Sequence, residues 1–268
     1  MEYQTLKVRV EDDIGFIELN RPEKLNALSR RLFEELQAAV EELDKKDITV
    51  VILSGNGRAF SAGLDFYEFL EDVRKASSDK LERFLYERVV FMQDSISSIE
   101  HSSKVYIAAI SGFCVGGGLD IASTCDIRFA SRDAVFSIME TRVGVVADLG
   151  ALQRLPRIIG EANTRLLAYT ARKIDAKEAY RIGLVNGIYD TKEALMEASI
   201  ACAKEISSNP IEAIEGTKKA LVYGISATTE ESLRFAAEYN ARIFDFDRIM
   251  ERFLENVGKK PPKGADRT

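Results

Sequence analysis

Three consecutive glycines, Gly116-Gly117-Gly118, stand between an apolar run and a helical pattern, and they restrict the possible folds more than any other feature of the chain. The run Ile107-Ala108-Ala109-Ile110 is short and apolar enough for a buried strand. Leu119, Ile121 and Ala122 open the helical pattern. With no Cβ in the way, backbone at the triplet can approach another segment closely. The first N–H groups of the following helix lack partners within it. They therefore suit negative charge on an oxygen. Three carboxylates follow: Asp120 in the first helical turn, then Glu140 and Asp148 in the largely apolar segment MET-RVGVVADLG. Amide donors beside acids in a dry pocket suit proton transfer next to a carbonyl. The plainer alternative is a close-packing turn.

A second stretch favours the functional reading. Val50 to Leu53 reads as a buried strand, and Ser54-Gly55-Asn56-Gly57 as a turn. Arg58-Ala59-Phe60-Ser61-Ala62-Gly63-Leu64-Asp65 then repeats the same grammar: small residues, a glycine, and an acid at a helix start. Two such turns can each supply one N–H to a single oxygen. The period is too loose to define a repeat by itself.

The remaining pattern is mixed, then helical. Leu6 to Val10 and Ile14 to Leu19 alternate around Glu11-Asp12-Asp13 as a hairpin. Ser29 is placed to cap a helix through Leu32, Phe33, Leu36, Ala39, Val40 and Leu43. Asp65 to Ser78 is charged and reads as mobile, and Leu81 to Ile99 as a helix. Beyond residue 156 helices dominate, with Asp175, Thr191 and either Thr228 or Thr229 as caps. An α/β core over 1–200, a helical oligomerisation region over 201–258 and a flexible tail over 259–268 are expected.

A net charge of −6 disfavours nucleic acid as a partner. The single histidine, His101, removes most zinc sites and nearly all Ser-His triads, and no metal is expected. Cys114, Cys125 and Cys202 look like reduced thiols of an intracellular protein. No stretch approaches a membrane span, and no secretory, mitochondrial or peroxisomal signal is evident. A soluble, intracellular, by default cytoplasmic protein is the expectation. No Gly-x-Gly-x-x-Gly follows a strand, which argues against a dinucleotide-binding oxidoreductase.

Four landmarks in order resemble the crotonase, or enoyl-CoA hydratase/isomerase, superfamily: Asn20-Arg-Pro-Glu-Lys-Leu-Asn-Ala27, Arg58 to Asp65, Gly116 to Asp126, and Gln153-Arg-Leu-Pro156. The resemblance implies an α/β fold, a spiral of repeated ββα units, here with a helical C-terminal extension. It implies an acyl-CoA thioester substrate, no cofactor beyond the coenzyme A within that substrate, and a homotrimer or homohexamer. It assigns the oxyanion-holding amides to Leu64 and Gly117, and substrate contact to Ala62, Gly63, Leu64, Asp65, Phe66, Gly117 and Lys24. Asp120, Glu140 and Asp148 together resemble the Δ3,5-Δ2,4-dienoyl-CoA isomerases, as does Tyr169-Thr-Ala-Arg-Lys173. Glycine is common at the Asp148 position in hydratases of the family.

The implied roles are Glu140 as base at C2, Asp148 as acid at C6, and Asp120 hydrogen-bonded to Glu140. Burial among Phe136, Val145, Val146 and Leu149 would raise the carboxyl pKa values. Other readings remain for each acid: a dipole-stabilising residue for Asp120, an ion pair with Arg142 or Arg157 for Glu140, a helix cap for Asp148. Two competing functions remain as well. One is a hydratase acting on a 2-enoyl-CoA with Asp120 and Glu140. The other is a non-catalytic crotonase-fold binding or scaffold protein.

Overall fold

A computed structural model describes residues 2–257. The chain divides into two units, 1–211 and 212–268. The first unit opens with an antiparallel hairpin, β1 (Leu6–Glu11) and β2 (Ile14–Leu19). Its two-residue turn places Asp12 and Asp13 at φ 48° and 60°, the left-handed pair that a tight hairpin turn of this hand requires. Helix α1 (Arg30–Asp44) follows, capped as expected by Ser29, whose Oγ accepts the Leu32 N–H at 3.2 Å.

A repeated path then builds the core. β3 (Val50–Gly55) joins β2 in parallel, and the short β4 (Ala59–Ser61) leaves for a second sheet. Helices α2 (Phe66–Lys75) and α3 (Leu81–His101) return the chain to the larger sheet. The next turn runs β5 (Val105–Ile110), β6 (Phe113–Val115) and α4 (Gly117–Thr124). The third runs β7 (Ile127–Ser131), β8 (Val135–Ser137), a 3-10 turn at Glu140–Val143 and α5 (Ala151–Thr170). The unit finishes with β9 (Ile174–Asp175), α6 (Ala176–Arg181), β10 (Gly187–Tyr189) and α7 (Lys192–Ser207). The long strands make a six-stranded sheet, β1-β2-β3-β5-β7-β10. The short ones make a four-stranded sheet, β4-β6-β8-β9. This is the expected spiral of ββα units.

Both faces of the larger sheet are covered, which explains its unbroken apolar runs. Successive side chains alternate between faces. Val51, Leu53, Ala108 and Ile110 pack in one core with α1 and α3. Val50, Ile52, Ile107 and Ala109 pack in the other with Leu195 and Ala203 of α7. The boundary expected after residue 200 falls inside α7, whereas the units part after Ile211.

Two expectations need correction. Residues 65–78, read as a mobile charged stretch, contain α2, whose first turn is capped by Asp65. The helices expected beyond residue 156 begin earlier, since α5 already starts at Ala151, with a break at Gly160 (φ 79°, ψ 157°).

The second unit holds most of α8 (Ile211–Tyr223), then α9 (Thr229–Ile243) and α10 (Phe246–Asn256). Thr228 and Glu231 form a full capping box at α9. Phe235 lies between Tyr223 and Tyr239, while Phe244 and Phe253 are exposed. The tail expected over 259–268 lies outside the described residues.

Candidate active site

Two glycine-bearing turns meet at the ends of β4 and β6. At the first, Ser61 Oγ donates to the Asn26 carbonyl (2.8 Å) and accepts the Gly63 N–H (3.2 Å). Leu28 forms a parallel bridge with Leu64. The Leu28 N–H donates to Gly63 O (2.8 Å), and Leu28 O accepts the Asp65 N–H (3.0 Å). In that pattern the N–H of Leu64 itself points away from Leu28. At the second turn Gly117 is the first residue of α4, where an amide has no partner within the helix.

The two amides lie against the same small space. A Cβ on Gly117 would stand 3.6 Å from Leu64 N, and one on Gly63 would stand 3.3 Å from Gly117 N. Close approach demands glycine here. Gly63 has φ +90°, and its Cβ would press on Val115 O at 2.9 Å; a Cβ on Gly118 would come within 2.7 Å of Ser61 O.

Three carboxyl groups surround this point. Asp120, in the first turn of α4, is fully buried. Its Oδ1 accepts the Ala151 N–H at 2.6 Å, and its Oδ2 is buried with no partner. Loss of hydration, then the nearby Glu140 charge, push its pKa up to about 7, against the pull of the Ala151 N–H. Glu140 starts the 3-10 turn after β8. Its Oε1 would be 3.2 Å from a Cβ on Gly116, and its Oε2 is buried and unpartnered. Burial raises the Glu140 pKa, with main-chain N–H groups opposing and the Asp148 charge adding. Burial also raises that of Asp148. As a residue Asp148 is exposed, so its partly covered carboxyl marks the open side of the site. The charge of Asp148 reaches both other acids.

Several sequence expectations change. Asp120 was expected to hydrogen-bond Glu140, but its bonded oxygen serves Ala151 at the start of α5. The cap proposed for Asp148 is thus supplied from another helix; the N-cap position of α5 is Gly150, without a side-chain cap. Leu149 and Phe136 are buried as expected, whereas Val145 and Val146 are exposed. Among the described residues Glu140 makes no ion pair with Arg142 or Arg157; Arg142 reaches the Ala171 carbonyl instead.

The implied substrate contacts also separate. Asp65 is held by Arg21, Nη2 to Oδ2 at 3.0 Å, and caps α2, so its carboxylate supports the loop. The Ala62 N–H donates to Leu25 O at 3.0 Å. Phe66 opens α2 partly exposed, and Lys24 is exposed at the end of a 3-10 turn, Pro22–Lys24. Three contributors escaped the sequence reading. Asn26, fully buried, donates to the Asn56 and Ala59 carbonyls and accepts the Arg21 N–H. The Ala151 amide holds Asp120, and Gln93 Nε2 donates to Asp148 O at 2.6 Å. Gly150-Ala151 at a helix start is a signal that could have found the amide; Gln93 has none.

Residues 9–263 match the family described as enoyl-CoA hydratase/isomerase. The chain belongs to this family. The peroxisomal Δ3,5-Δ2,4-dienoyl-CoA isomerase of Arabidopsis thaliana is 37% identical to it over an alignment of 275 positions that spans 98% of each chain. A probable enoyl-CoA hydratase of Rhizobium meliloti is 34% identical over 264 residues, 97% of each. The crystal structure of an enoyl-CoA hydratase from Bacillus anthracis superposes with a TM-score of 0.86 at 30% identity, covering 97% of this chain and 98% of that one. The enoyl-CoA hydratase/isomerase family thus shares the ββα spiral across nearly the whole chain. Among the described residues no helix is long and apolar enough to cross a membrane.

Proposed function

We propose that the chain is a Δ3,5-Δ2,4-dienoyl-CoA isomerase, acting on a fatty acyl thioester in β-oxidation. The observation that carries this reading is the third acid. Asp148 lies within charge reach of Asp120 and Glu140, and its neighbour Leu149 lies against Gly117. The Leu64 and Gly117 N–H groups hold the thioester oxygen. Glu140 takes a proton from C2, and the electron pair spreads over the oxygen, C4 and C6. Protonated Asp148 delivers its proton to C6, leaving double bonds at C2–C3 and C4–C5. Proton exchange with water then resets both acids. No electrons leave or enter the substrate, so the chemistry calls for no redox cofactor.

One oxyanion donor contributes on the order of 3 kcal/mol to such a transition state. Burial moves Glu140 and Asp148 up from the ordinary carboxylate range, the direction that proton transfer near neutral pH calls for. Hydration of a 2-enoyl-CoA is the second reading, favoured by the likeness to the Rhizobium meliloti protein. It would need Asp120 to handle water, whereas Asp120 is tied to the start of α5. A homotrimer or homohexamer, with acyl-CoA as the small partner, completes the proposal. So does the intracellular setting expected from the sequence.

The test is parallel incubation with a 3,5-dienoyl-CoA and a 2-enoyl-CoA, followed by near-ultraviolet absorbance. Conjugated dienoyl product is expected with the first. Glu140→Gln should abolish both C2 hydrogen exchange and isomerisation. Asp148→Asn should retain C2 exchange and lose isomerisation by about 10²-fold or more. Turnover of only the 2-enoyl substrate would move the assignment to a hydratase.

A further inference from the structure

Asp148 sits between Ala147 and Leu149, whose side chains are seated in the core, on a segment with few hydrogen bonds of its own. A glycine at positive φ stands at each end, Gly144 at 83° and Gly150 at 122°. The Val145 N–H donates to Glu140 O, which fixes the start of the segment. At the other end Arg154 Nη1 reaches Leu149 O at 3.5 Å, while the rest of that guanidinium is taken by Glu100 and Ser97. Between these points the short contact on the Asp148 peptide is the Gln93 Nε2–H donating to its carbonyl at 2.6 Å. Gln93 is well placed to act as a fixed post. It lies on α3 between Met92 and Ser95, both buried, and Ser95 Oγ donates to Phe33 O in α1.

We propose that Gln93 is a positioning residue for Asp148: its amide, by holding the Asp148 carbonyl, sets where the acid meets the distal end of the dienoyl chain. The inference rests on the isomerase reading. Gln93 lies 27 positions before Asp120 in the sequence and touches neither Asp120 nor Glu140 in the bonds described. It therefore acts on one proton transfer and not on the other. With Ala147 and Leu149 fixed in the core, loss of the Gln93 bond leaves the Asp148 peptide to tilt between them, and a carboxyl misplaced by about 1 Å costs about 10²-fold in rate.

The experiment compares wild type, Gln93→Met and Gln93→Glu on a 3,5-dienoyl-CoA in deuterated water. Isomerisation is read by absorbance, and C2 exchange by mass spectrometry of recovered substrate. Methionine keeps the length and removes the donor; glutamate keeps the size and sets one acceptor against another. Isomerisation is expected to fall about ten- to hundredfold in both variants, more in the glutamate one, with C2 exchange unchanged. Equal loss of the two signals in a folded protein, or loss of neither, would overturn the proposal. Should the methionine variant not fold, the same split decides through the glutamate one. Absence of isomerisation in wild type itself is a separate result: it ends the isomerase reading and this inference with it.

Discussion

Asp120 illustrates how one residue can carry a structural and an electrostatic duty together. Its Oδ1 satisfies the first N–H of α5, and its Oδ2 stays buried and unpartnered near Glu140. A carboxyl raised to about 7 when folded binds its proton more tightly than in the unfolded chain. Between the ordinary carboxylate range, about pH 4, and about pH 7, the folded state therefore holds more protons. Stability from this group falls as pH rises through that window, and the penalty persists above it. Asp120→Asn keeps an oxygen for Ala151 and removes the titration. The variant should gain stability over wild type at pH 8 compared with pH 5, as measured by urea unfolding. An identical difference at both values would show that Asp120 does not titrate there. The three acids and the two glycine-bearing turns stand out in the sequence because small residues and charges interrupt apolar runs at these points; the choice of the Leu64 and Gly117 amides rests on the family resemblance. The acids' hydrogen-bond partners are not legible there. Ala151 and Gln93 come from distant parts of the chain; Ala151 is marked only by the Gly150-Ala151 helix start, and Gln93 by nothing local.

At the level of elements, two short strands prepare the meeting of the turns. β4 and β6 pair in parallel, and the backbone after each comes into contact across Gly63 and Gly118. Gly118→Ala would force a methyl to 2.7 Å from Ser61 O and 2.9 Å from its Cβ. Overpacking of this kind costs about 1–3 kcal/mol. It should also part the Leu64 and Gly117 amides, so turnover is expected to fall with stability. Chemical denaturation and steady-state kinetics on the same variant check this; an alanine protein equal to wild type in both would refute the packing argument. These three-residue strands escaped the sequence reading because they are too short for alternation to be seen. α2 escaped for another reason: its charged face dominates 66–75, and the Asp65 cap that starts it is also paired to Arg21. The longer elements, such as the hairpin, α1, β3, β5 and α3, follow their hydrophobic period closely.

On the scale of the molecule, burial is unevenly shared. The two apolar cores draw their fully buried members from residues 6–203. The described part of the second unit instead exposes Leu221, Leu233, Phe244 and Phe253, each at 60% or more. Large apolar side chains so placed mark a surface for association, and the proposed occupant is another copy of the chain. Analytical ultracentrifugation should give a mass of three or six chains, and Leu221→Glu with Phe253→Glu should lower it. A monomer in the unsubstituted protein would reject the oligomer. One consequence of the paired turns reaches past this chain. In the proposed chemistry two successive ββα units contribute one amide each, so either unit alone would hold half a pocket. Such chemistry starts only when both lie side by side. In a solenoid of this type, the smallest piece able to evolve as an enzyme is a pair of windings.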